Sequence, residues 1–126
     1  MKATLVSILV AVANIGGAVY FATRTPEVAS TANVSVQGGT QVVEIKAKGQ
    51  YSPRVTEAKA GIPTVLRMAT DGTFDCTSQL TVPSIGYRQI LPPSGTTDIA
   101  LEPQKTGSIV KGICSMGMYN FEVRFI

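Results

Sequence analysis

The chain has 126 residues and a mass of 13.3 kDa, which is enough for one domain. Its composition, 44% hydrophobic and 15% charged, excludes a disordered protein and a coiled coil. The net charge is only +3 and the basic residues are scattered, so the sequence gives no footprint for binding nucleic acid. Histidine is absent, which excludes a catalytic His triad, a His-based zinc site and any His-ligated copper site.

The first element in chain order is an uncharged, apolar segment over residues 3–23. As a helix it spans about 31 Å, close to the roughly 30 Å of a bilayer core. Two interpretations are open: a membrane anchor over residues 1–24, or a signal peptide cleaved after a small residue such as Ala18. The run exceeds the ~7–15 apolar residues of a typical signal peptide, which favours the anchor. Either way we expect an extracytoplasmic domain, in the periplasm or at the cell surface. With the favoured anchor, residues 3–23 hold this domain at the cytoplasmic membrane.

Residues 25–40 are small and polar and end in glycines, which predicts a flexible linker. From residue 41 onward, short runs rich in β-branched residues alternate with Gly, Pro and Asp, and no helical apolar periodicity is present. This pattern predicts an all-β domain over residues 41–126, a sandwich or small barrel of seven or eight strands. The predicted strands cover residues 42–46, 64–69, 79–82, 87–91, 98–101, 108–113 and 120–126.

Alternation within two of these strands predicts part of the core. Phe121, Val123 and Phe125 fall on one face of the last strand. Leu66 and Met68 share a face of the strand over residues 64–69. We expect these five side chains to be buried.

The loop before the last strand carries the clearest chemical signal. Cys114, Met116 and Met118 place three sulfur donors within five positions, and Gly117 lets the loop curl around an ion. Cys76 lies in another loop rich in Gly and Asp. Thiolates and thioethers select Cu(I) over harder ions. If the two loops meet at one end of the sandwich, four sulfurs converge on one site.

Other interpretations of the cysteines remain open. An exported protein with two cysteines most often forms a disulfide, and two inert buried thiols are a further possibility. A methionine in a β-protein is usually core filler, as we expect for Met68. However, core filler has little reason to cluster in a Met-Gly-Met turn, so metal binding is favoured.

The acidic residues give no second site. Asp71 and Asp75 flank a turn, where aspartate commonly caps its own backbone, and we expect neither Ca²⁺ binding nor carboxylate catalysis from them. The sequence also contains no nucleophile–base pair and no cofactor motif. We therefore expect a protein that is not an enzyme.

A series of markers in the chain resembles the cupredoxin-like domains of bacterial copper-handling proteins. The resemblance covers residues 41–126 and implies a Greek-key β-sandwich with a metal site at one end. Its markers are Gly49-x-Tyr51-x-Pro53, Ala60-Gly61-x-Pro63-x-Val65-Leu66, Cys76, Leu80-x-Val82-Pro83, Pro103-x3-Gly107 and Cys114-x-Met116-Gly117-Met118.

The resemblance also assigns the sulfur residues. Electron-transfer members of the family use a His from mid-chain and then a Cys, a His and often a Met before the last strand. Cys114 matches the family's Cys, and Cys76 falls where the first His stands. Met116 or Met118 replaces the second His, and the other methionine corresponds to the axial ligand.

This departure from the family pattern implies a site for Cu(I) held without redox cycling, because a blue-copper site needs two imidazoles and one thiolate. We expect Cys76 and Cys114 as thiolate ligands and Met116 and Met118 as thioether ligands. The implied function is copper storage, delivery or resistance, with a copper transporter or copper chaperone as partner. The alternatives are a blue-copper-like electron-transfer protein, and a structural or interaction domain stapled by a Cys76–Cys114 disulfide.

Overall fold

A computed structural model of the protein describes residues 2–23 and 27–126, with the side chains at positions 2 and 19–23 outside the description. Helix α1 spans Lys2–Thr23, where the apolar segment predicted a helix. Within the described part of the chain, no helix has the length and apolar character needed to cross a membrane. Met1 and residues 24–26, which belong to the predicted anchor and linker, lie outside the described residues.

Ten strands follow in residues 27–126, and they form two five-stranded sheets. Most of them are short and have Gly, Pro or Asp next to or at one end, as the sequence pattern predicted. The strands are β1 (Val34–Gln37), β2 (Thr40–Ala47), β3 (Tyr51–Ser52), β4 (Val55–Ala58), β5 (Thr64–Thr70), β6 (Gln79–Val82), β7 (Tyr87–Ile90), β8 (Gly95–Leu101), β9 (Ile109–Cys114) and β10 (Asn120–Phe125).

The first sheet has the order β1-β2-β5-β8, with β3 pairing with the same strand β2. The second sheet has the order β4-β10-β9-β6-β7. The pairs β2–β5 and β4–β10 are parallel, and the other strand pairs are antiparallel. Parallel pairing of strands distant in sequence requires the chain to cross between the sheets. The predicted Greek-key β-sandwich after an N-terminal helix is confirmed.

The core lies between the sheets and contains the residues that alternation predicted. Phe121, Val123 and Phe125 of β10 are at most 1% exposed. Leu66 and Met68 of β5 are completely buried. Each such side chain contributes roughly 1.5–3 kcal/mol through burial, so this interior is the main source of stability.

The predicted linker over residues 25–40 differs from the structure in its second half. Residues 34–37 form strand β1, which turns at Gly38-Gly39 and pairs with β2. Both glycines have positive φ, 59° and 82°, as a tight hairpin between twisted strands requires. Ser30 also forms a parallel bridge with Thr56 of β4. Residues 30–37, here called the strap, therefore form the edge strand of the first sheet and bridge to β4, an edge strand of the second.

Candidate metal centre

Pairing between β6 and β9 brings the two cysteines together. Leu80 of β6 lies opposite Cys114 at the end of β9. Cys76 begins a short 3-10 helix, Cys76–Ser78, that leads directly into β6. The two Sγ atoms consequently lie 2.8 Å apart, although 38 positions separate the residues. The two loops thus meet at one end of the sandwich.

Both cysteines are free thiols in different surroundings. Cys114 is 1% exposed, whereas Cys76 is half-buried. Burial raises the pKa of Cys114, but hydrogen bonds from the Cys76 thiol and from the backbone of Tyr119, Met118 and Met116 outweigh it, so this pKa lies below its ordinary value. The hydrogen bond to Cys114, together with burial, raises the pKa of Cys76 to about 11. Cys114 is therefore the cysteine of the pair that loses its proton first as the pH rises.

The backbone of the loop over residues 115–119 folds around the Cys114 sulfur. The Cys114 N–H donates to the Tyr119 carbonyl at 3.0 Å, and the Gly117 N–H donates to the Cys114 carbonyl at 2.9 Å. Gly117 has φ +70°, a left-handed conformation that glycine adopts without strain. The Ser115 N–H and hydroxyl donate to the backbone and side-chain oxygens of Gln79, at 3.1 and 2.5 Å. These bonds close the loop tightly and attach it to β6.

The two methionines of this loop lie at the surface. Met116 is 72% exposed and Met118 is 64% exposed. The structure therefore brings the two cysteine sulfurs together and leaves the two thioethers on the same loop facing solvent. An unbranched methionine side chain has three rotatable bonds, which allow its sulfur to move towards an ion held by the cysteines.

The available donors fit a soft ion. Among the described residues, no group of three or more His, Cys, Asp or Glu side chains is arranged to hold a metal. A structural zinc site needs four nitrogen or thiolate donors, and calcium needs six to eight oxygens. Two adjacent cysteine sulfurs with nearby thioethers suit Cu(I).

Sequence reasoning recognised Asp75 as a cap but did not recognise the role of Tyr51 in positioning Cys76. Asp75 forms the N-cap of the 3-10 helix and accepts from Thr77 N, which confirms its predicted capping role. Tyr51 is 3% exposed, and its hydroxyl donates to the Thr77 carbonyl at 3.0 Å. Burial, reinforced by the nearby negative charges, raises the pKa of Tyr51, so the phenol keeps its proton. The sequence Asp-Cys-Thr-Ser carries the cap signal, but the Tyr51 contact depends on tertiary structure.

The comparisons with known proteins agree with this architecture. The sequence profile described as "Cupredoxin-like domain" matches residues 15–125. The fold is similar to the crystal structure of the metal-binding domain of the Cu(I)-exporting P-type ATPase CopA from Streptococcus pneumoniae D39 with Cu(I), with a TM-score of 0.66 and 19% identity. That match covers 79% of this chain and 98% of the other.

A second similar structure is the NMR solution structure of a copper-binding protein in its apo form. It has a TM-score of 0.69 and 17% identity, and the match covers 79% of this chain and 99% of the other. A search among curated proteins finds no match. At these identities the structural likeness shows the fold, and the profile match over most of the chain shows the family. The chain belongs to the cupredoxin-like domain family.

Proposed function

We propose that this protein binds one Cu(I) ion through the thiolates of Cys76 and Cys114, with the thioethers of Met116 and Met118 completing the site. Its role is copper storage, delivery or resistance, without catalysis. The observation that carries this proposal is the 2.8 Å approach of the two cysteine sulfurs at one end of the sandwich. The copper-binding proteins with a similar fold support it.

The chemistry follows from the state of the sulfur pair. Hydrogen bonds from Cys76 and from its own loop favour the thiolate form of Cys114. Cu(I) binding displaces the proton that Cys76 retains, because a thiolate rather than a thiol is the metal ligand. The exposed thioethers of Met116 and Met118 carry no proton, and they allow a partner's sulfurs to replace the ligands one at a time.

The location and partner belong to the same proposal. The apolar N-terminal segment supports export, with the segment either retained as a membrane tether or cleaved as a signal peptide. A copper transporter or copper chaperone is the partner that fits such a site. The similarity in fold to a domain of a Cu(I)-exporting ATPase supports a partner of this class.

The same two sulfurs support one alternative, a structural or interaction domain stapled by a disulfide. Two free thiols 2.8 Å apart are placed to oxidise to a cystine. A disulfide that closes the loop between Cys76 and Cys114 would stabilise the fold by roughly 3–4 kcal/mol, because it restricts the unfolded chain. The alternative predicts no free thiols in the protein as isolated and no effect of Cu(I) on the melting temperature.

Anaerobic titration of the reduced full chain with Cu(I), in mild detergent and against a chromogenic Cu(I) chelator, tests the proposal. We expect the protein to withdraw one equivalent of Cu(I) from the chelator, and the Cys76→Ser/Cys114→Ser variant to withdraw none. Equal retention of Cu(I) by that double variant would overturn the proposal. A strong visible band after Cu(II) addition would instead indicate the electron-transfer alternative.

Methionine variants make the test specific for the loop. Met116→Leu and Met118→Leu remove one thioether each from the proposed site. Met68→Leu removes a thioether from the buried core and serves as the matched control. We expect weaker Cu(I) binding from the two loop variants and unchanged binding from the control. Equal effects at all three positions would remove the methionines from the site.

A further inference from the structure

Cys76 is the less constrained half of the sulfur pair. Cys114 lies in strand β9, where backbone pairing with β6 and β10 fixes the surrounding chain. Cys76 lies outside the strands, at the first position of a 3-10 helix of three residues. A helix this short has little stability of its own. The position of the Cys76 sulfur therefore depends on the contacts of its neighbours.

Asp75, the residue before Cys76, supplies most of these contacts. Its Oδ1 atom accepts from the backbone N–H of Thr77 at 2.8 Å and from the Thr77 hydroxyl at 2.5 Å. Its Oδ2 atom accepts from the Gly49 N–H at 2.8 Å, in the turn between β2 and β3. Hydrogen bonds to an ionised carboxylate are roughly twice as strong as those between neutral groups. The Asp75 side chain thus holds the Cys76 segment in its turn and attaches it to the turn between β2 and β3 of the other sheet.

The far side of the segment is fixed as well. Thr77 is completely buried, and its carbonyl accepts the hydrogen bond from the Tyr51 hydroxyl at 3.0 Å. Tyr51 packs edge-on against the core ring of Phe121, with 5.0 Å between ring centroids. Cys76 therefore lies between an anchored aspartate and an anchored threonine.

We propose that Asp75 is a positioning residue for copper binding, whose carboxylate holds the Cys76 sulfur beside the Cys114 sulfur before the ion arrives. The inference rests on the proposed function and adds a residue to it. Because the sulfur pair is already formed, bringing Cys76 beside Cys114 adds no ordering cost at the moment of binding. Asp75 acts through Cys76, without touching the ion.

A matched pair of variants separates positioning from charge. Asp75→Asn and Asp71→Asn each remove one carboxylate from the same loop. The Asp75 carboxylate is the one that accepts hydrogen bonds from Thr77 and Gly49. Asn at position 75 keeps one oxygen for Thr77, and its NH2 group cannot accept from the Gly49 N–H. Asp75→Ala removes all of these bonds.

The affinity series is measured by the same anaerobic chelator competition on the full chain. We expect Asp75→Ala to bind Cu(I) about 10–100-fold more weakly, as for other residues that orient a metal ligand. We expect Asp75→Asn to fall between Asp75→Ala and wild type, and Asp71→Asn to match wild type. Equal weakening by Asp71→Asn and Asp75→Asn would overturn the inference. If Asp75→Ala fails to fold, the comparison of the two asparagine variants decides.

A second readout needs no copper. Oxidised glutathione reacts with one protein thiolate to give a mixed disulfide, and the other cysteine then displaces the remaining glutathione. Overall the two protein thiols lose two electrons and two protons, and oxidised glutathione becomes two glutathione thiols. In wild type we expect the mixed disulfide to convert to the Cys76–Cys114 disulfide too fast to accumulate. Asp75→Ala should accumulate the mixed disulfide in mass spectra, because its two sulfurs are no longer held together.

The two readouts distinguish the two ways in which the account can fail. If the double Cys→Ser variant retains Cu(I) as wild type does, the proposed function is wrong, and the glutathione experiment still tests Asp75. If wild type binds Cu(I) but Asp75→Ala binds equally and closes its disulfide equally fast, only the inference about Asp75 is wrong.

Discussion

The ring of Phe121 occupies the space that a side chain at position 112 would need. A Cβ atom on Gly112 would lie 2.2 Å from Cε1 of Phe121, well inside contact distance. The two residues are cross-strand partners in β9 and β10. Gly112 lies two residues before Cys114, and Phe121 also supports Tyr51. The Phe121 ring therefore packs on bare backbone two residues from Cys114 of the candidate metal centre.

We expect Gly112→Ala to lower the free energy of unfolding by about 1–3 kcal/mol, because the added methyl group displaces a completely buried ring. Urea denaturation of the full chain measures this loss. Phe121→Leu on the Gly112→Ala background relieves the clash, so the double variant should be more stable than the sum of the two single effects predicts. Additive effects would show that the ring does not press on position 112.

Tyr51→Phe should lower the free energy of unfolding by about 1–2 kcal/mol, because it leaves the buried carbonyl of Thr77 without its hydrogen-bond donor. The ring contact with Phe121 is kept, so the variant isolates the hydroxyl. Thermal and urea unfolding measure the change. A variant as stable as wild type would contradict the role assigned to this bond.

Asn33 joins the strap to both sheets. Its Nδ2 atom donates to the Glu44 carbonyl and to the Thr56 hydroxyl, each at 2.9 Å. We expect Asn33→Ala to cost about 1–3 kcal/mol of unfolding free energy by urea denaturation, because two acceptors lose a donor. Gln37→Ala in the exposed end of β1 is the control and should change little. Equal effects at both positions would show that the strap contributes no specific bridge.

Strands with strong β-branched content and alternation were predictable from the sequence. The prediction over residues 79–82 coincides with β6, and that over residues 120–126 extends one residue beyond β10. The burial of Phe121 and Met68 followed from alternation alone. One face of each of these strands packs in the core. Apolar and polar residues therefore alternate along the strand, and the sequence alone shows this alternation.

Strands β1, β3 and β4 were not predicted, for a physical reason. β3 contains two residues, and the four side chains of β1 are mostly exposed, so no buried face marks it. Their pairing comes from partners elsewhere in the chain, and no local pattern records that. The turn at Gly38-Gly39 was the available signal, since two glycines between strands favour a tight hairpin. In the candidate site, the sulfur residues were identifiable by type and the Asp75 cap by its turn. The contacts of Asp75 with Gly49 and of Tyr51 with Thr77 required the fold.

The opposite pKa shifts of Cys114 and Cys76 predict two separate titration steps in the reduced, copper-free protein. Hydrogen bonds to the Cys114 sulfur outweigh burial and lower its pKa, so its thiolate forms at a lower pH than in an ordinary cysteine. Cys76 ionises only near its raised pKa of about 11. Thiolate ultraviolet absorbance against pH measures both steps. Cys76→Ser has no thiol at position 76, so we expect a single cysteine step in this variant. A wild-type curve in which both thiols ionise in one step at the same pH would contradict the opposite pKa shifts of the pair.

X-ray absorption at the copper edge of the Cu(I)-loaded full chain measures directly which atoms bind the ion. We expect sulfur atoms alone to surround it. We also expect Cys76→Ser and Cys114→Ser each to change that shell, and the core control Met68→Leu to leave it unchanged. A shell of nitrogen or oxygen ligands in wild type, or a shell that neither cysteine variant alters, would contradict a copper site built on Cys76 and Cys114.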